Sequence, residues 1–75
     1  IIQIMENELV EFGKRVKHYR LLNGWSQEEL AEKVGLHRTY IGSVERGERN
    51  ISLLNISLLA KSFSINISEL VEGIK

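Results

Sequence analysis

The stretch Trp25–Asn50 reads WSQEELAEKVGLHRTYIGSVERGERN, and Gly35 and Gly47 divide it into two short helical segments. The first segment carries a full set of start signals. Ser26 is a good N-cap, and Glu29 three residues later completes a capping box. Trp25 and Leu30 occupy hydrophobic-staple positions, and Glu28 and Glu29 complement the positive end of the helix dipole. Leu30, Ala31 and Val34 face inward before Gly35 stops the helix. Leu36 opens the next element, a helix over about 37–46 that ends at Gly47. Two helices this short, joined this tightly, have to pack against each other and against other helices.

Three further helices are expected around this pair, and no segment shows a sustained strand alternation. The first spans about residues 8–22, with Leu9, Phe12, Val16 and Tyr19 as its apolar stripe and Gly24 as its stop. The fourth spans about 53–63 from a Ser52 cap, with Leu53, Ile56, Leu59, Ala60 and Phe63 on its core face. The fifth is short, capped by Asn66 with Glu69 completing a second box, and ends at Gly73. The fold class is therefore all-α, a compact five-helix bundle in which all 75 residues form one domain. Met5 reads as a natural start, so residues 1–6 are expected to lie outside the fold or to be added upstream sequence.

Composition excludes several functions. The chain has no cysteine, hence no disulfide, thiolate metal site or cysteine nucleophile. His18 and His37 stand alone without a third ligand at helical spacing, so no metal is expected. No apolar run approaches the roughly 20 residues of a membrane span, and IIQI lacks the features of a signal peptide. A cytoplasmic location follows as the expectation. There is no nucleophile–base–orienter set and no phosphate loop, so the chain does not read as an enzyme, and neither cofactor nor small-molecule ligand is expected.

On a helical wheel the third helix buries Ile41 and Val44, while Thr39, Ser43 and Arg46 lie roughly opposite and Arg38, Tyr40 and Gly42 lie on the flanks. A helix held across another in this way is a common means of bringing side chains into the major groove of DNA. Arg38 has the reach to bond guanine twice. The net charge of zero is an obstacle, because phosphate contacts usually supply much of the affinity. Distribution answers it in part: Lys14, Arg15, Lys17, His18 and Arg20 cluster in the first helix, and Arg38, Arg46 and Arg49 in the middle.

Gln27, Ala31, Gly35, the Ile41/Val44 pair and the Glu45-Arg46-Gly47 corner resemble the Cro/cI (XRE-type) helix-turn-helix family of phage repressors, over about residues 9–73. HRTYIGSVERGERNISLLNI is similar to the recognition region of restriction–modification controller proteins, which are small dimeric regulators. The chain departs from their pattern at Gly42-Ser43, where those proteins often place serine first.

The resemblance implies a homodimer that binds a pseudo-palindromic double-stranded DNA site and controls transcription. Arg38, Thr39, Tyr40 and Ser43 are then the candidate base readers. Gln27, Trp25, Ser26, His37, Arg46, Arg49 and Asn50 are the candidate phosphate contacts. The resemblance also implies that Arg20 and Glu45, each on the margin of an apolar face, form a structural ion pair between the first and third helices. Leu54, Leu58, Ile65, Ile67, Leu70, Val71 and Ile74 are the candidate dimer interface. The alternative reading is an antitoxin or other protein-interaction module on the same scaffold.

Overall fold

In the computed structural model the backbone is described for residues 2–74 and the side chains for residues 8–74. Five helices follow in order: α1 Ile2–Leu22, α2 Gln27–Val34, α3 Arg38–Glu45, α4 Leu53–Ser62 and α5 Ile67–Val71. No strand occurs among the described residues. The expected boundaries hold to within about one residue except at the start of α1, which begins six residues earlier than the apolar stripe implied.

Local chemistry accounts for the helix starts. Ser26 Oγ accepts from Glu29 N–H at 3.0 Å, and the Glu29 carboxylate accepts from Ser26 N–H at 2.8 Å. Two otherwise orphaned donors are thereby satisfied reciprocally. Ser52 caps α4 through Asn55 N–H. At α5 the Glu69 carboxylate accepts from Asn66 N–H at 3.0 Å, while Glu69 N–H goes to the Asn66 main-chain carbonyl at 3.1 Å. Gly35 ends α2 in the left-handed region at φ 73°, which only glycine adopts at little cost.

Phe12 and Val16 of α1, Leu30, Ala31 and Val34 of α2, and Ile41 and Val44 of α3 form one side of the core. Leu59, Ala60, Phe63 and Leu70 close the other. Each fully buried Leu or Ile contributes about 1.5–3 kcal/mol relative to exposure. Tyr19 and Trp25 both stack on Phe63, with ring centroids 5.6 and 6.1 Å apart.

Three departures from expectation concern apolar residues and one polar side chain. Leu53, expected in the core, is 71% exposed at the first position of α4. Leu70, expected at a dimer interface, is fully buried: α5 is little more than one turn long and commits this residue to the core against α1 and α4. Leu58, Ile65, Val71 and Ile74 are also packed against the core and only partly buried. Arg15, counted with the basic cluster, clamps α5 instead. Its guanidinium donates to the carbonyls of Glu69 at 3.1 Å and Glu72 at 2.7 Å, which satisfies acceptors that a helix C-terminus otherwise leaves open.

α1 and α3 approach each other closely at Gly13. A Cβ placed on Gly13 would collide with the backbone carbonyl of Val44 and come within 2.6 Å of that of Glu45. Gly13 therefore sets how deeply the third helix seats on the first.

Candidate nucleic-acid interface

α3 is fixed from beneath by a buried polar brace. Arg20 Nε donates to Glu45 Oε2 at 2.6 Å and Arg20 Nη2 to Glu45 Oε1 at 3.0 Å, a two-pronged pair. The side chains are only 9% and 5% exposed. Arg20 Nη1 donates to the Trp25 carbonyl at 2.9 Å, and Gln27 Nε2 donates to Glu45 Oε1 at 3.0 Å. One carboxylate on α3 thus gathers donors from α1 and α2, and the arginine also holds the turn between those helices. No buried side-chain polar atom among the described residues is left without a partner. Such a charge pair is tolerated in the interior only when its lone pairs and protons are satisfied. The expected pairing of Arg20 with Glu45 is present, and Gln27 is its third member.

Above the brace an open cleft of about 470 Å³ runs between the start of α2 and α3. Ser26, Gln27, Glu28, Arg38, Thr39, Gly42 and Arg46 line it, with Arg20 at its base. Arg38 and Thr39 are exposed on the first turn of α3. His37 caps that helix, its Nδ1 accepting from Thr39 N–H at 3.2 Å. Gly42 is buried, and a Cβ there would lie 3.2 Å from Arg46 Nη1 and 3.4 Å from Gln27 Oε1. The first is a tight contact that a small shift of the Arg46 side chain relieves, and the second is an ordinary one. Arg46 in turn pairs with Glu48 at 3.0 Å on the open surface, both side chains more than half exposed. The Arg46 guanidinium holds the Glu48 carboxyl below its usual range, first by hydrogen bonding and then by charge.

The structure corrects the wheel at Ser43. It is 7% exposed rather than facing outward. Its hydroxyl donates to the Tyr40 carbonyl at 2.7 Å and accepts from Arg49 Nε at 3.2 Å. Arg49 thus reaches back to it from the loop after α3, whose Glu48 N–H is bonded to the Ser43 carbonyl at 2.9 Å. A wheel counts only the helix's own residues and misses a covering loop. Tyr40 is half-buried; its hydroxyl accepts from Asn55 Nδ2 at 3.1 Å, and Arg49 lies over its ring at 5.3 Å. Asn55 has no periodic signal in the sequence and was not anticipated.

Trp25 is a packing residue. Its ring lies on Phe63 with Lys33 Nζ 4.7 Å above it, and its backbone N–H and carbonyl are both bonded to Arg20. Ser26 is exposed, with its hydroxyl committed to the cap. Arg49 and Asn50 are exposed on the loop after α3. Of the expected interface set, Leu54 at 69% and Ile67 at 37% are exposed, with Leu53 beside Leu54 in the chain. No helix is long and apolar enough to cross a membrane, and no cluster of metal-ligating side chains occurs among the described residues.

A helix-turn-helix family model matches residues 16–70, which contain the brace, the cleft and the whole of α2 and α3. The chain belongs to this family, in its XRE type. Within it the likeness extends to restriction–modification controllers. The control protein C.SmaI of Serratia marcescens is 50% identical over 65 residues, covering 84% of this chain and 77% of that protein. The crystal structure of the restriction–modification controller C.AhdI from Aeromonas hydrophila superposes with a TM-score of 0.83 at 50% identity, covering 85% of this helix-turn-helix chain and 97% of its own. The controller C.Esp1396I, solved as a tetramer in complex with its natural 35 base-pair operator, gives 0.79 at 33% identity, covering 89% and 88% of the two chains.

Proposed function

We propose that this chain is a sequence-specific double-stranded DNA-binding transcriptional regulator of the restriction–modification controller type, acting as a homodimer. One observation carries the reading: α3 is locked onto α1 and α2 by a buried charge pair, while Arg38 and Thr39 stand exposed on its first turn. That is the end of a recognition helix that meets base edges. Arg38 bonds guanine and Thr39 contacts a neighbouring base or phosphate. Gln27, His37, Arg46, Arg49 and Asn50 surround the cleft and loop where a phosphate strand passes, and they fix register rather than sequence. Tyr40, with its hydroxyl on Asn55, contributes through the shape of the surface it supports.

The exposed apolar residues Leu53, Leu54 and Ile67 form the dimer face in this reading. Two copies then place their α3 helices about 34 Å apart, in successive major grooves of a pseudo-palindromic operator. The chain works in the cytoplasm as a binding protein and not as an enzyme.

Selection from a random duplex pool, followed by titration of the enriched duplex over a range of salt, tests this. Enrichment of a two-fold symmetric site, with log affinity falling steeply against log salt, is the expected result. Failure to enrich any duplex over random DNA overturns it and favours a protein-interaction module.

A further inference from the structure

We infer that Ser43 is a positioning residue for DNA recognition that acts through Arg49, and that the Gly42-Ser43 order makes it so. The inference rests on the regulator reading above. Ser43 cannot itself reach a base, since it is 7% exposed and its hydroxyl already bridges the Tyr40 carbonyl and Arg49 Nε. What that bridge does is orient an exposed arginine. The Nε–H of Arg49 points down onto the serine, and the guanidinium lies 5.3 Å over the Tyr40 ring. Tyr40 is itself held from its far end by Asn55.

Among the described residues the two Nη groups of Arg49 make no protein hydrogen bond, so its donor fork is left facing outward. An arginine in solution loses rotamer freedom when it is fixed on a ligand. Here part of that ordering has occurred before any DNA arrives.

The neighbouring position explains why the hydroxyl belongs at 43 and not at 42. A Cβ at 42 would lie 3.2 Å from Arg46 Nη1, which would have to shift by a few tenths of an ångström, whereas at 43 the side chain turns toward the loop after α3. Glycine followed by serine thus serves two arginines at once: the first opens room for Arg46, and the second tethers Arg49. The ligand addressed is the duplex backbone next to the loop, and the effect is on orientation rather than on net charge.

Four proteins decide the matter: wild type, Ser43→Ala, Arg49→Ala and the double variant. Each is titrated with the duplex that the wild type enriches and with random duplex. Ser43→Ala is expected to bind the enriched duplex about tenfold more weakly and random duplex more weakly as well, as for a residue that positions a phosphate contact. In the Arg49→Ala background the serine change is expected to have no further effect. Arg49→Lys, which keeps the charge and lacks the Nε–H fork, is expected to lose affinity as Ser43→Ala does, and serves if Ser43→Ala does not fold. In the free protein the Arg49 Nε–H resonance is expected to show slowed solvent exchange that Ser43→Ala abolishes. Unchanged affinity in Ser43→Ala, or an undiminished loss in the Arg49→Ala background, overturns the inference alone. Failure of the wild type to enrich any duplex overturns the regulator reading and the inference with it.

Discussion

Two ion pairs flank the C-terminal end of α3, and they share chemistry but not surroundings. Arg20–Glu45 is buried, two-pronged and joined by Gln27, and it spans separate helices. Arg46–Glu48 joins residues two apart on the open surface. Water decides the difference. In the interior a broken pair leaves a charge without solvent or partner, whereas on the surface each ion is rehydrated at once. The first pair therefore belongs to the fold. In the proposed reading the second leaves Arg46 available to exchange Glu48 for a phosphate.

The contrast is broken most severely by Glu45→Ala, which leaves Arg20 buried and unpaired. A loss of about 3–5 kcal/mol is expected, a large share of the stability of a domain this small. Chemical denaturation measures it, and an unchanged midpoint contradicts the buried brace. Gly13→Ala comes next, at about 1–3 kcal/mol, because the methyl drives α1 off the α3 backbone. A Gly13→Ala protein as stable as the wild type means that the helices do not meet as closely as described.

Ser26→Ala removes half of a capping box and is expected to cost about 1 kcal/mol. The other half is pH-dependent. Ser26 N–H, then its hydroxyl, hold the Glu29 carboxyl below its ordinary value of 4.5. The folded protein thus binds that proton less readily than the unfolded chain does. The contribution is full above pH 4.5 and is lost as the pH falls through the lower folded value. Glu29→Gln keeps the box and is expected to remove this acid dependence. A stability–pH curve with the same acid slope as the wild type counts against it. The smallest effect is Glu48→Ala, with no measurable change in midpoint and tighter binding to DNA through the freed Arg46. Weaker binding reverses that assignment.

How much of this was legible in the sequence follows the same division. Helix starts are written locally, so Ser26-Glu29 and Asn66-Glu69 located α2 and α5. The Arg20–Glu45 pair was implied by family likeness and by charges on apolar margins. Gly13 gave no signal, since an absent side chain in a helix has no period. Arg15 gave none either, because its partners are backbone carbonyls of α5 and not side chains. Ser43 was placed on the wrong face because the covering element is a loop. Leu70 and Leu53 exchanged places, one drawn into the core and the other left exposed, since spacing along a helix does not say which of its turns meets the neighbouring helices.

The proposed division of α3 into a buried side that holds and an exposed first turn that reads is tested most directly by Arg38→Ala. The quantity to measure is the ratio of its affinities for the enriched duplex and for random duplex. The ratio is expected to fall about tenfold or more, the worth of a two-pronged guanine contact, while the unfolding midpoint stays at the wild-type value. An unchanged ratio in a folded Arg38→Ala protein would contradict it.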